Sequence, residues 1–235
     1  MNMPFLQIEL PAESAPVAAA PEVTTKTLSI LDLMLSGGIG GQLIMGTMLV
    51  LSVLAVYLFV NRLSAIRRAD KLDAQFMRDI KDYIASGNMQ SALNTCERSD
   101  TPVARMILKG IKRIGKPLSD ISASVENQGK LEIQLLERNM PYLATIAGGA
   151  PMIGFLGTVI GMVLSFGEMA NAGAGVQIDM LAEGIYVAMT TTVAGLIVGI
   201  AAYFGYNYLV MRVDAVIYKM EVSATEFLDL LHEPI

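Results

Sequence analysis

Three long, uncharged apolar runs dominate the pattern of hydrophobic and polar positions along this chain. They read GQLIMGTMLVLSVLAVYLFV over 41–60, YLATIAGGAPMIGFLGTVIGMVLSF over 142–166, and a third apolar run over 184–210. A helix needs about 20 apolar residues to cross a hydrocarbon core, and each run reaches that length. The pattern therefore predicts three transmembrane helices, which cover residues 41–61, 142–170 and 180–210.

The polar stretch after the first run has apolar positions at helical spacing. In KLDAQFMRDIKDYIASGN, apolar side chains recur every four residues from Leu72 to Ile84. A second helix is expected to begin behind Asp100 or Thr101, because either side chain can cap a helix and Pro102 suits the first turn.

A third helical pattern begins near Asp120 and continues through LEIQLLERNMPYLATI into the second apolar run. We predict one helix from about residue 120 to residue 168, bent at Pro141 and Pro151, because each proline removes a backbone hydrogen bond. Residues 62–141 as a whole are expected to form a helical extension that braces the membrane part.

The remaining segments have simpler patterns. Residues 1–26 are rich in Pro, Ala and Glu and lack the basic and apolar regions of a cleaved signal peptide, which predicts disorder. Residues 27–38, TLSILDLMLSGG, are expected to form an amphipathic helix on the membrane surface. We predict a hairpin over 171–179 and a C-terminal helix and tail over 211–235.

The distribution of Lys and Arg predicts the orientation in the membrane. Residues 1–41 carry only Lys26, and the 171–179 loop carries no basic residue. The opposite flanks of the apolar runs carry Arg62, Arg67, Arg68, Lys71, Arg138, Arg212 and Lys219. Because cytoplasmic flanks collect positive charge, the N-terminus and the hairpin are predicted to be periplasmic, and 62–141 and 211–235 cytoplasmic.

The composition limits the kinds of functional site that the chain can contain. Apolar residues make up 53% of the 235 residues and charged residues 17%, so the net charge of -5 says little about partners. Cys96 is the only cysteine and His232 the only histidine, which excludes an internal disulfide and a cysteine metal cluster. We predict no cofactor, no metal and no nucleic-acid partner. The spans lack His, Asp, Lys and Cys, which argues against a membrane enzyme.

Small residues recur every three or four positions in the second and third runs. Such stripes let helix backbones approach closely inside a membrane. The predicted packing positions are Gly154, Gly157, Gly161, Gly195 and Gly199.

Hydroxyl side chains lie in the middle of the same runs. Thr158 belongs to the second run, and Thr190, Thr191 and Thr192 belong to the third. Each hydroxyl could bond a carbonyl of its own helix. Because the two runs are antiparallel neighbours, hydroxyls from both could instead meet at one depth, although at most two of three consecutive threonines share a face.

No ionisable side chain occupies the middle of a run. Glu168 and Glu183 lie near the outer ends. Proton pathways normally need a titratable group inside the membrane. If this chain handles protons, that group is expected to come from another chain.

The segments GAPMIGFLGTVIGMVLSF and LAEGIYVAMTTTVAGLIVGIAAYFGYNYL resemble the two signature spans of the MotA/TolQ/ExbB proton-channel family, and most of all its ExbB branch. The resemblance is strong over 149–208 and weaker elsewhere. It implies a ring, pentameric in the family, in the inner membrane of Gram-negative bacteria. It also implies an ExbD-like single-span partner that supplies a membrane aspartate in the pore, and a TonB-like protein that the motor energises.

The same resemblance implies roles for particular residues. The pore threonines of the family match Thr158 and Thr192, and Thr191 and Ser165 are further candidates for the pore lining. An acid common in ExbB-like proteins is replaced here by Val187, so Glu183 is considered only as a substitute near the outer mouth.

Other readings stay open at this point. A TolQ-like motor subunit for the cell envelope belongs to the same class. A MotA-like stator fits less well, because that branch usually has four spans. A passive membrane scaffold, in which every threonine bonds its own helix, would need no partner acid.

Overall fold

The computed structural model describes residues 38–71, 75–171 and 178–232, and within these ranges the chain is helical and contains no strand. The helices, in chain order, are α1 (Gly38–Ala69), α2 (Phe76–Ala85), α3 (Met89–Arg98), α4 (Pro102–Ile111), α5 (Leu118–Glu137), α6 (Met140–Asn171) and α7 (Ile178–His232). The predictions of a disordered 1–26 segment, of the amphipathic helix over 27–38 except its last residue, and of the centre of the hairpin lie outside the described residues.

Three helical stretches are long and apolar enough to cross a membrane. They lie within Gly40–Ala69, Leu118–Asn171 and Gly184–His232. This confirms the prediction of an all-α membrane protein with three spans. The spanning parts of α1, α6 and α7 pack side by side, and α6 and α7 share the most extensive contact.

The prediction of one unbroken helix from about 120 to 168 is wrong. Helix α5 ends at Glu137 and α6 begins at Met140. Between them Arg138 is extended, with ψ 133°, and Asn139 has a φ of 67°. Pro141 explains the break, because its ring would collide with the carbonyl four residues earlier, whereas a proline in the first turn of a new helix leaves no donor unused. Pro151, by contrast, lies inside α6 without ending it.

Helix α7 continues through the expected end of the third span at residue 210. Its 55 residues correspond to about 80 Å of helix. The third span and the C-terminal part of the chain therefore form one continuous helix.

Helices α2, α4 and α5 pack against α7, and α3 packs against α2 and α4. From here on, the helical extension means these four helices together with residues 211–232. Its core contains the fully buried side chains of Ile80, Ile107, Val125 and Phe227. Thr101 caps α4 through its hydroxyl, which accepts a hydrogen bond from the amide of Ala104 at 3.4 Å, and Pro102 occupies the first position.

Candidate functional site

Helices α6 and α7 touch through their backbones in the apolar layer. A Cβ atom placed on Gly154 would lie 2.8 Å from the carbonyl oxygen of Thr191, and one on Gly195 would lie 2.6 Å from that of Ala150. Such distances are too short for any side chain. The two helices can therefore approach this closely only because these positions are glycine.

The same contact extends in both directions along the two helices. A Cβ on Gly199 would press on the ring of Pro151, and one on Gly161 would lie 2.7 Å from the Cβ of Ala188. A Cβ on Gly157 would overlap the hydroxyl of Thr191. All five glycines named from the sequence thus lie in the α6–α7 contact.

One hydroxyl from each helix meets in the middle of this contact. The Oγ1 atoms of Thr158 and Thr192 are 3.3 Å apart. Thr192 also donates to the carbonyl of Gly154 on α6 at 3.0 Å, and Thr158 donates to the carbonyl of Phe155 in its own helix at 2.6 Å. We call Thr158 and Thr192 the hydroxyl pair.

The two hydroxyls of this pair have more acceptor positions than the structure fills. Each hydroxyl has one hydrogen and two acceptor positions. Both hydrogens go to carbonyl groups, so no hydrogen remains for the 3.3 Å contact between the two oxygens. Each oxygen therefore keeps unused acceptor positions.

The hydroxyls of Thr190 and Thr191 donate within their own helix, unlike that of Thr192. Thr190 donates to the carbonyl of Val187 at 2.7 Å, within its own helix. Thr191 is only 2% exposed and donates to Ala188 at 2.7 Å, with a longer contact of 3.3 Å to Gly154. Of the three consecutive threonines, only Thr192 has hydrogen bonds exclusively to α6.

Ser165 lies near the C-terminal end of α6, and Glu183 lies near the N-terminal end of α7. Ser165 is buried, donates to the carbonyl of Gly161 at 2.9 Å, and has its hydroxyl where a Cβ of Gly184 would be. The structure thus places Ser165 inside the helix contact. Glu183 lies in α7, but its side chain falls outside the described residues.

Acidic and basic side chains are absent from residues 142–166 of α6 and 184–210 of α7. Glu168 lies beyond this zone and is exposed. No group of His, Cys, Asp and Glu residues that could hold a metal was found among the described residues. The chemistry of this site is therefore that of neutral hydroxyls and backbone carbonyls.

An ion pair between a buried carboxylate and a partly exposed guanidinium in the helical extension was not predicted from the sequence. Glu132 is 2% exposed and accepts from Arg105 twice, from Nε at 2.9 Å and from Nη2 at 2.7 Å. Gln128 donates to the same carboxylate at 2.8 Å. These bonds raise the pKa of Arg105 above its ordinary value. A signal existed, because Glu132 falls in register with the buried stripe Ile121, Val125, Gly129 and Leu136 of α5.

A second charged contact joins the end of α1 to α7. The carboxylate of Asp70 accepts from Arg212 at 3.1 Å and from Lys219 at 2.5 Å. The two cations are seven residues apart, which places them on one face of the helix. This contact holds the end of the first span against the rod of α7.

Comparison with known proteins agrees with this arrangement. The sequence pattern of the MotA/TolQ/ExbB proton channel family matches residues 98–222. A biopolymer transport protein ExbB homolog of Methanothermobacter thermautotrophicus is 29% identical over 198 residues, which cover 83% of this chain and 67% of the relative. The Tol-Pal system protein TolQ of Haemophilus influenzae is 29% identical over 232 residues, covering 88% and 96%.

A shorter match with a higher identity supports the same conclusion. The biopolymer transport protein ExbB of Aquifex aeolicus is 38% identical over 107 residues, which cover 44% of this chain and 69% of the relative. The family pattern spans more than half of the chain and includes α6 and most of α7. This chain belongs to the MotA/TolQ/ExbB proton channel family.

Proposed function

We propose that this chain is the ring-forming subunit of an inner-membrane motor driven by the proton-motive force. In this proposal α6 and α7 of several copies line a central pore, and a single-span ExbD-like partner carries an aspartate inside it. The proton crosses at that aspartate, and the motion that follows energises a TonB-like protein for import across the outer membrane. The basic flanks face the cytoplasm and the N-terminus faces the periplasm.

The observation that carries the proposal is the hydroxyl pair. Thr192 reaches across to α6 instead of bonding its own helix, and the oxygens of both threonines keep acceptor capacity. A protonated carboxyl group near the pair could donate to them, and an ionised one could be served by a bridging water. Neutral partners of this kind stabilise an acid without fixing it in one protonation state.

The lack of acids and bases in the described middle of α6 and α7 supports a division of labour. A pore lined only by this chain would contain no titratable group at mid-depth. A proton relay normally needs one. We infer that the partner supplies the acid and that this chain supplies its surroundings.

Exposed apolar side chains support self-association and lipid contact. Met152, Phe155 and Val163 on α6 and Ile197 and Phe204 on α7 are all more than half exposed in the single chain. In a membrane, these faces can be covered by lipid or by neighbouring copies. A homo-oligomeric ring, proposed as a pentamer, uses part of this surface.

A TolQ-like role is the second candidate function. The TolQ relative of Haemophilus influenzae is as similar to this chain as the Methanothermobacter thermautotrophicus ExbB homolog, and it is covered more completely. The identity of the partner system separates the two roles. Loss of the chain should abolish siderophore-dependent growth in the ExbB-like case and should cause envelope defects in the TolQ-like case.

The test is a reconstitution. The chain is purified alone and with the single-span protein encoded beside it, each preparation is placed in liposomes, and proton entry is followed with a pH-sensitive dye under an imposed potential. We expect flux only with the partner present, and native mass spectrometry of the complex gives the ring size. Proton flux through the chain alone would overturn the proposal, and so would a complex that is tight but never conducts, as a passive scaffold would be.

A further inference from the structure

A narrow apolar groove runs between α1 and α7 at the depth of the predicted spans. Its volume is about 350 Å³. The wall is built from Ser52, Ala55, Val56, Phe59, Leu143, Val198, Ala201, Ala202, Phe204, Gly205 and Tyr208. Because the lining residues Val56 and Phe204 are more than half exposed, the groove is open to the outside of the chain.

The groove is small, open along one side and lined almost entirely by apolar side chains. A single hydrocarbon chain is thin enough to lie along it.

One end of the groove leads to a surplus of positive charge. The rings of Phe59 and Tyr208, with centroids 6.3 Å apart, mark this end. One turn beyond Tyr208 lies Arg212, which shares the carboxylate of Asp70 with Lys219.

The last turn of α1 adds Arg67 and Arg68, both exposed. Asp70 is the one acid that any of these four cations contacts among the described residues. The Nε atom of Arg212 is buried and has no hydrogen-bond partner there. The end of the groove is therefore positively charged, and at least one of its N–H groups, that of Arg212 Nε, has no acceptor among the described residues.

We propose that this groove binds one anionic phospholipid, with an acyl chain along the small residues and the phosphate beside Arg212 and Arg67. Charge complementarity selects the headgroup, since basic pockets between membrane helices recognise anionic lipids. The lipid belongs to the cytoplasmic leaflet, a statement that rests on the proposed orientation. Bound there, it would wedge α1 against α7 next to the Asp70 contact.

The experiment measures lipid retention by the full chain. Wild-type protein and variants are placed in nanodiscs of equal parts phosphatidylglycerol and phosphatidylcholine, re-extracted in mild detergent, and examined by native mass spectrometry. We expect wild-type protein to keep phosphatidylglycerol in preference to phosphatidylcholine. Excess inorganic phosphate should not displace it, because the acyl chain supplies much of the binding.

Two variants separate the acyl groove from the headgroup site. Ala201→Phe fills the groove and should abolish retention, whereas the matched control Ile197→Phe, one turn away on the exposed face, should keep it. Arg67→Gln should lower the preference for the anionic lipid about fivefold, since one surface cation contributes about 1 kcal/mol.

Several results would overturn the proposal. Among them are equal retention of both lipids by the wild type, full retention of phosphatidylglycerol by Ala201→Phe, and displacement of the lipid by phosphate alone. A Ser52→Cys variant that forms disulfide-linked dimers would also overturn it, because a second copy would then occupy the groove.

Discussion

The α6–α7 contact and the helical extension bury polar groups in opposite ways. In the α6–α7 contact, glycines bring the backbones together, and hydroxyls share carbonyl oxygens such as that of Gly154. In the helical extension, bulky side chains form the core, and one carboxylate, that of Glu132, receives three hydrogen bonds.

The two regions differ in whether their polar groups have all their hydrogen-bond partners within the chain. The carboxylate of Glu132 is paired with a guanidinium and an amide, so the arrangement is complete within the chain. The oxygens of the hydroxyl pair keep unused lone pairs. The charged group of the extension is therefore satisfied within the chain, whereas the hydroxyl pair is the part of the chain for which we propose an outside partner.

The largest effect is expected from breaking the ion pair of Arg105 and Glu132. Arg105→Ala leaves the buried carboxylate of Glu132 without its cation, which should lower the free energy of unfolding by about 2–3 kcal/mol, less than for a fully buried pair because the side chain of Arg105 is 39% exposed. Thermal unfolding of the full chain in detergent, followed by circular dichroism, measures the loss. The double variant Arg105→Leu/Glu132→Leu should regain most of it, because no buried charge remains.

A surface pair gives the matched control for this change. Lys130 and Glu126 are four residues apart on the exposed side of α5, with 2.8 Å between Nζ and Oε1. Lys130→Ala should leave the unfolding temperature almost unchanged, because solvent screens both charges. If Arg105→Ala is as mild as Lys130→Ala, the extension does not depend on its buried pair.

A smaller effect is expected from adding one methyl group to the α6–α7 contact. Gly154→Ala forces backbone against backbone and should cost about 1–3 kcal/mol, because neither helix has a flexible side chain that could move aside. The control is Gly148→Ala in the same helix, where no atom lies within 4 Å of the added Cβ. That variant should be neutral or stabilising, and equal losses at both positions would contradict the proposed role of the contact.

The smallest effect concerns Cys96, in the core of the extension. Burial raises the pKa of its thiol to about 12 from a reference of 9.0. At pH 8 the folded protein should hold roughly a thousandfold less thiolate than the unfolded chain, so maleimide labelling should be slow until detergent unfolds it.

The same shift predicts a loss of stability at high pH. Above pH 9 the unfolded chain releases the thiol proton while the folded chain keeps it until about pH 12. Stability should therefore fall as pH rises through this window, and Cys96→Ala should remove that part of the fall. Rapid labelling of the folded protein at pH 8 would show that the core opens around α3.

Local patterns in the sequence predicted the spans and the glycine positions well. Stripes of small residues repeat every three or four positions, so a single helix displays them whatever it packs against. The interruption at Arg138 and Asn139 was missed because Pro141 was expected to bend the helix, whereas the chain ends one helix and starts another. The pairing of Arg105 with Glu132, 27 residues apart, depends on how α4 packs on α5, which no local pattern contains.

The role of individual threonines was also beyond the sequence. The spacing of Thr190, Thr191 and Thr192 shows that they point in different directions, but it does not show which one faces α6. The structure separates them by their hydrogen bonds, because Thr190 bonds only its own helix and Thr192 bonds only α6.

This separation provides the most direct test of the central claim, that the hydroxyl pair of this chain serves an acid supplied by a partner. The measurement is proton flux through liposomes that contain the chain and its single-span partner, compared between Thr192→Val and Thr190→Val. Valine keeps the shape of threonine and removes the hydroxyl, so both variants should assemble normally. The account predicts that Thr192→Val reduces flux at least about tenfold, equivalent to about 1.4 kcal/mol, while Thr190→Val conducts like the wild type. Equal flux through both variants would contradict it.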